Sequence, residues 1–294
     1  MFYFTEHIRT KVDSNIPCIA GSVDLSKAFD SLSHELLLKK LEKFGVNENG
    51  KNLLHSYLES RPQSVQMFGK LSKTLHTQRG VPQGTILGPL LFLCYLNDFA
   101  NTIDKNVCLH IQYADDTTLI VSHKDPGTAR QILKESLLKA SKYFSDNQLM
   151  INMEKTQIIY FRKTAKTKGE PINLSEVHLK PSSDVKLLGV TFDETLSFEK
   201  EINLILKKMA IGIRTIQALK TFLPHKTRFI LFHALVLSHL QYPLLLLTGI
   251  TEKNKKQLNK QMKWGYKVCK LNGKNMGKSS YIQTFEDFIN YQVF

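Results

Sequence analysis

Two adjacent acids, Asp115 and Asp116, sit between two strand-like segments, Leu109-His110-Ile111-Gln112 before and Thr117-Thr118-Leu119-Ile120-Val121 after. Both flanks are β-branched and aliphatic and alternate loosely, so they read as strands joined by a tight turn through Tyr113-Ala114-Asp115-Asp116. Like charges this close repel, and each carboxylate takes up a proton more readily unless a cation offsets it. Asp is also common in plain solvated turns. The pair alone does not choose between these readings; the rest of the chain does.

Charge is split unevenly along the 294 residues. Residues 1–150 carry 17 Lys/Arg against 15 Asp/Glu, and residues 151–294 carry 23 against 11, within a total of +14. A basic C-terminal half points to a polyanionic partner, the plainer alternative being a Lys-rich solvated surface. Four cysteines, Cys18, Cys94, Cys108 and Cys269, lack CxxC spacing and predict reduced thiols rather than zinc ligands or disulfides. The N-terminus lacks the charged-then-apolar layout of a signal peptide, so a nuclear or cytoplasmic location is expected rather than secretion. Phe229–Ile250 is 22 residues without Asp, Glu, Lys or Arg. It contains His233, His239 and Pro243, which favour a buried helix broken near the proline over a membrane span.

In chain order, helices are predicted near 5–15, 34–44 (Ser33 as N-cap, Gly45 as stop), 49–60, 86–99 and 126–147. Strands are predicted at 16–23, at 64–68 and 71–77 around Gly69-Lys70, at 149–152 and 156–161, and near 172–179 and 185–192. Residues 79–84 form a Gly/Pro-rich loop of fixed shape, and 162–170 a basic exposed one. From Leu196 the texture changes to long helices, 198–219, 226–238 and 253–271, with a domain boundary near 193–197. The class is α+β: a three- or four-stranded antiparallel sheet backed by helices 34–44, 86–99 and 126–147, then an all-helical region.

The strand ending at Asp24 and the turn at Asp115-Asp116 meet if their strands pair, because paired backbones lie about 5 Å apart. Oxygen-only ligands of this kind suit magnesium, completed by water and phosphate oxygens. Two such ions about 4 Å apart form the clamp used for in-line phosphoryl transfer.

Val23-Asp24-Leu25-Ser26-Lys27-Ala28-Phe29-Asp30, Gly80-Val81-Pro82-Gln83-Gly84-Thr85-Ile86-Leu87-Gly88-Pro89 and Tyr113-Ala114-Asp115-Asp116 stand in the order of reverse transcriptase palm motifs. Asn152-Met153-Glu154-Lys155-Thr156 and Lys186-Leu187-Leu188-Gly189-Val190 resemble the two that follow. The chain resembles, over about residues 15–195, the reverse transcriptase of non-LTR (LINE-type, jockey-like) retrotransposons, with weaker similarity at Leu235–Tyr242. The resemblance implies RNA-directed DNA polymerase activity on a ferredoxin-like palm (1–195) with a helical thumb-like region (196–294). It implies an RNA template, a DNA primer, deoxynucleoside triphosphates and two Mg2+ ions, Mn2+ substituting, with no membrane involved and protein partners left open.

Residue by residue, the resemblance implies that Asp24 and Asp115 ligate both metals, with Asp116 weaker and the Leu25 carbonyl helping. Phe29 takes the place of the side chain that blocks a ribose 2′-hydroxyl, core packing being the alternative. Gln83 with the Pro82 and Gly84 backbone lines the nucleotide pocket. Lys155 stands where the family has a candidate general acid for pyrophosphate, a solvated lysine being the alternative. Leu188-Gly189 corresponds to the primer grip, and Lys207, Lys208, Arg214 and Lys220 track a phosphate backbone or else form a solvated face. Asp30 and Asp98 read as a helix cap and a helix exit, and His34 as a helix-start packing residue. Only 23 residues precede Asp24, so the fingers region and the endonuclease are expected to be missing, leaving an apolar palm face exposed. The alternative function is an impaired fragment that binds nucleic acid without turnover.

Overall fold

The computed structural model describes residues 1–164, 169–174, 177–269 and 285. Its contacts divide into two compact units, Lys11–Ser183, and Met1–Thr10 together with Asp184–Phe294. The chain opens with α1 (Phe2–Asp13). Phe4 of this helix meets the Phe192 ring edge-on at 5.1 Å, and Phe192 meets Phe198 at 5.4 Å. That aromatic cluster groups the first ten residues and the segment from Asp184 with the C-terminal helices, where the sequence reading sets its boundary later, near 193–197.

Within Lys11–Ser183, β1 (Cys18–Val23) is buried at nearly every position, as expected of a strand with neighbours on both sides and a helix on one face. After β2 (Leu25–Ser26) and the single turn α2 (Ala28–Ser31), α3 (His34–Glu42) begins where the Ser33 side chain accepts a hydrogen bond from the Leu36 N–H. Then come α4 (Glu48–Leu58) and a double hairpin of β3 (Arg61–Gln63), β4 (Gln66–Met67), β5 (Lys70–Leu71) and β6 (Leu75–Thr77). α5 (Leu87–Leu96) continues as a 3-10 turn over Asn97–Asn101. β7 (Leu109–Tyr113) and β8 (Asp116–Ser122) lead to α6 (Pro126–Asp146), capped by Asp125 with Pro126 in its first turn. β9 (Met150–Ile151), β10 (Gln157–Phe161), β11 (Ile172–Leu174) and β12 (Val177–Leu179) follow. The expected strand near 172–179 is thus an antiparallel pair. Part of the expected 162–170 loop, residues 165–168, lies outside the described residues.

The sheet has four antiparallel strands in the order β10-β1-β8-β7. α6 crosses β1 and β8, with Leu133 and Leu137 against Gly21. Phe99 ties the other helices in: its ring stacks on Phe144 of α6 at 5.1 Å and meets His110 of β7 edge-on. A fully buried phenylalanine of this kind contributes about 1.5–3 kcal/mol. Asp98 is more than a helix exit. It accepts from Lys40 Nζ at 2.7 Å and from the Tyr143 hydroxyl, joining α3, α5 and α6 at a half-buried polar node. On the outer side of α5, Ile86 is 94% exposed and Leu90 and Leu93 about half exposed.

In the other unit, β13 (Asp184–Leu187) and β14 (Val190–Asp193) form a hairpin whose turn residues Leu188 and Gly189 both have positive φ, 47° and 84°. Such a two-residue turn matches the twist of its strands. α7 (Glu199–Ala218), α8 (His225–Phe232), a π-helical turn over His233–Leu237, α9 (Ser238–Gln241) and α10 (Glu252–Cys269) make up the helices. Helix does break at Pro243, where a 3-10 segment, Leu244–Gly249, begins. Burial pushes the pKa of both His233 and His239 down, so both favour the neutral form. No helix among the described residues is long and apolar enough to cross a membrane. All four cysteines are free.

Asp193 organises the entry to α7. Its carboxylate accepts from the backbone N–H of Thr195, Ser197 and Phe198 and from both hydroxyls between. Burial pushes this carboxyl up, but the hydrogen bonds outweigh it and hold its pKa below the ordinary 3.8. Asp193→Ala is expected to cost about 2 kcal/mol by denaturant unfolding, the upper range for a lost cap. Because the folded-state pKa is depressed, that contribution is present above about pH 4 and lost as pH falls through the folded value. The two chains should therefore converge in stability on acidification.

Candidate active site

Ladder register brings the acids together. Val23, the last residue of β1, lies opposite Thr117 of β8, and Tyr113 lies opposite Asp116 across the β7–β8 turn. Asp24 therefore leaves β1 beside the turn that carries Asp115 and Asp116. Ala114, inside that turn, has φ 52°, a left-handed conformation that costs a non-glycine residue about 1–2 kcal/mol. The electrostatics agree with this proximity. The Asp116 carboxyl is held above its ordinary value, first by partial burial, then by the negative charges of Asp115 and Asp24.

The third strand-like element closes the other side. Leu25 pairs with Ile151 and Ser26 with Met150, and the Asn152 N–H donates to the Asp24 carbonyl at 2.8 Å. This fixes the 152–155 turn, so Lys155 reaches Asp24 with Nζ 3.6 Å from Oδ2. The lysine side chain is 69% exposed, which makes the pair a weak energetic contact.

Among the described residues, no three His, Cys, Asp or Glu side chains converge as a metal-binding group. The donor set here is oxygen only, the kind of ligand a hard divalent cation takes. By donor chemistry, Asp24, Asp115, Asp116 and the Leu25 carbonyl fit such an ion.

A second cluster joins the residues after Asp24 to the 79–84 loop. The Phe29 ring stacks on Phe92 with centroids 4.4 Å apart. The Val81 N–H donates to the Phe29 carbonyl and the Gly80 N–H to the Leu32 carbonyl, both at 2.9 Å. His34 is not only a packing residue, since its Nε2 donates to the Gly80 carbonyl at 2.8 Å. Asp30 is not a cap either. It lies inside α2, and its carboxylate accepts from Gln83 Nε2 at 2.9 Å. Pro82 and Gln83 line one open cleft with Asp30, whereas Gly84, at φ 77°, is not among its lining residues. Sequence reading missed Arg61, Gln63 and Arg79 in the same cleft. The Arg79-Gly80 junction was a visible signal, but Arg61 enters only through strand pairing.

The remaining candidates belong to the other unit. The Leu188 carbonyl accepts from the Tyr242 hydroxyl at 2.5 Å, which braces the Leu188-Gly189 turn. Lys207, Lys208 and Arg214 are exposed on α7, and Lys220 lies just beyond its end, half-buried.

Comparison with known proteins gives this arrangement a family. A probable RNA-directed DNA polymerase from transposon BS of Drosophila melanogaster is 33% identical over 201 residues, 66% of this chain and 22% of that protein. The RNA-directed DNA polymerase from mobile element jockey of the same species is 28% identical over 190 residues, 63% of this chain and 20% of that protein. The chain thus spans about a fifth of the length of these relatives. The solved structure of apo telomerase from Candida tropicalis shares the fold, with a TM-score of 0.50 at 11% identity over 98% of this chain and 49% of that one. The family model for reverse transcriptase (RNA-dependent DNA polymerase) matches residues 6–192. The chain belongs to the reverse transcriptase family.

Proposed function

We propose that this chain carries the catalytic centre of an RNA-directed DNA polymerase that adds deoxynucleotides to a primer 3′-hydroxyl on an RNA template. The observation that carries the reading is the strand register that sets Asp24, at the end of β1, beside the β7–β8 turn holding Asp115 and Asp116. Residues 1–195 act as the palm and 196–294 as a thumb-like region. Asp24 and Asp115, with Asp116 and the Leu25 carbonyl, would hold paired Mg2+ or Mn2+ ions. When bound, such a pair makes the primer hydroxyl more acidic and offsets charge on the leaving pyrophosphate.

The other roles belong to the chain's own side chains. Lys155, placed beside Asp24, holds a proton for the departing pyrophosphate. Phe29, fixed against Phe92, closes the space a ribose 2′-hydroxyl needs. Gln83, with the Pro82 and Gly84 backbone, orients the incoming nucleotide. The turn Leu188-Gly189 grips the primer, glycine permitting close backbone approach, and Lys207, Lys208, Arg214 and Lys220 follow the phosphate backbone. Work of this kind places the protein in the nucleus or cytoplasm.

Primer extension by the purified chain on an RNA template, with deoxynucleotides and Mg2+, tests the reading. Extension supports it. A mobility shift of the oligonucleotide that weakens steeply with salt, with no extension, leaves nucleic-acid binding without turnover. Phe29→Ala is expected to raise ribonucleotide incorporation relative to deoxynucleotide by about tenfold to a hundredfold, the range for a steric pocket contact. Unchanged discrimination in a competition assay removes Phe29 from that role.

A further inference from the structure

The loop 79–83 and the base of the β3–β6 hairpin enclose an open cleft of about 360 Å³, whose walls include Asp30, Arg61, Gln63, Arg79 and Gln83. Arg61 opens β3 and lies opposite Thr77, the last residue of β6. Ladder register therefore holds Arg61 beside the segment that reaches Arg79 two residues later. Among the described residues neither guanidinium has an ion pair or a hydrogen bond, whereas Lys40, Lys51 and Arg130 of the same unit each find an acid. Asp30, the one acid among the described residues lining the cleft, already accepts from Gln83. Two guanidinium forks against one engaged carboxylate leave the cleft net positive, which favours an anionic ligand. The fork geometry of arginine matches phosphate oxygens bidentately, and Gln63 adds a neutral amide.

We propose that Arg61 and Arg79 form a two-pronged phosphate cradle, which takes a phosphoryl group from the backbone of a bound strand or from a nucleoside triphosphate. The cradle deepens the polymerase reading and rests on it for its ligand class. Neither arginine has a role in that reading as stated above.

The test uses the full chain in EDTA, so turnover does not enter and the cradle can fail while primer extension succeeds, or the reverse. The probes are a fluorescein-labelled RNA oligonucleotide, followed by anisotropy, and inorganic tripolyphosphate, followed by calorimetry. In the double variant Arg61→Gln/Arg79→Gln, the probe that seats in the cleft should lose about tenfold in affinity per arginine, as for a lost hydrogen bond to a charged group. For RNA, the slope of log affinity against log salt should also become shallower by about one for each phosphate no longer neutralised. Lysine at either position should recover part of the loss, since it restores charge without the fork. RNA affinity reduced alone identifies a strand phosphate, tripolyphosphate affinity reduced alone identifies the triphosphate, and reduction of both supports a cradle that accepts either. Affinities within twofold of the parent for both probes, with an unchanged circular dichroism spectrum, overturn the proposal. Should the double variant not fold, phenylglyoxal modification of the native chain replaces it. Protection of Arg61 and Arg79 by either probe supports the cradle, and unchanged modification rates with both probes overturn it.

Discussion

Asp115→Asn is expected to reduce primer extension by about 10³-fold or more while the protein stays folded and melts slightly higher than the parent. On the proposed role of Asp115 as a metal ligand, the kinetic loss follows from removing a charged donor. Several kcal/mol of transition-state charge stabilisation disappear with it, and each 1.36 kcal/mol is a factor of about ten. The gain in stability comes from the same charge. Asp116 is held above its ordinary pKa of 3.8 by partial burial and then by the charges of Asp115 and Asp24. A carboxyl whose pKa rises on folding favours the fold below the unfolded value and loses that contribution as pH rises through the folded one. At neutral pH the parent chain therefore bears the repulsion, and an isosteric amide removes part of it. Discounted for solvent screening at a partly exposed site, the gain amounts to about 2 °C in a domain of this size. It should vanish below about pH 4, where Asp116 is protonated in both states. Mg2+ should raise the melting temperature of the parent by mass action and that of the variant much less. Differential scanning fluorimetry with and without Mg2+ reads both effects. Extension within tenfold of the parent, or a melting temperature several degrees lower, would contradict the assigned role.

The acidic hairpin was legible in the sequence because its signals are local: β-branched flanks and a turn-forming acid pair within one short stretch. The same holds for α3, where Ser33 caps the helix and Gly45, at φ 81°, ends it. Ordered motifs also brought Asp24 and Asp115 into one expectation, although 90 residues lie between them. Partners chosen by tertiary packing were not legible. Asp98 reads locally as a helix end, yet its partners Lys40 and Tyr143 are 58 and 45 residues away. Asp30 reads as a cap because an acid precedes the predicted helix, but its carboxylate instead meets Gln83, 53 residues on. Arg61 carries no local mark at all. Its place in the cleft depends on a strand register that only the folded hairpin defines.

The second large effect concerns that same loop. Gly80→Ala is expected to destabilise the protein by about 3–5 kcal/mol and to reduce any polymerase activity that survives by more than about tenfold. Gly80 has φ 83°, and a Cβ there would lie 2.7–2.8 Å from the Cα, C and O atoms of Asp30. Those are backbone atoms, so no side-chain rotation relieves the clash, and overpacking of this kind costs about 1–3 kcal/mol. The left-handed conformation adds about 1 kcal/mol. Any shift of the loop also strains the bonds from Gly80 N–H to Leu32, Val81 N–H to Phe29 and His34 to the Gly80 carbonyl, each worth about 1 kcal/mol. On the proposed roles, activity falls because these bonds tie the segment carrying Phe29 to the loop that carries Gln83. Gly45→Ala is the internal control. Gly45 has nearly the same φ, 81°, but nothing lies within 4 Å of the added carbon, so only the conformational cost of about 1 kcal/mol applies. Denaturant unfolding of the two variants separates the contributions. A much larger loss for Gly80→Ala would show that the 79–84 loop is seated on the segment after Asp24, whereas equal losses would mean that the loop can lift away and does not position the site.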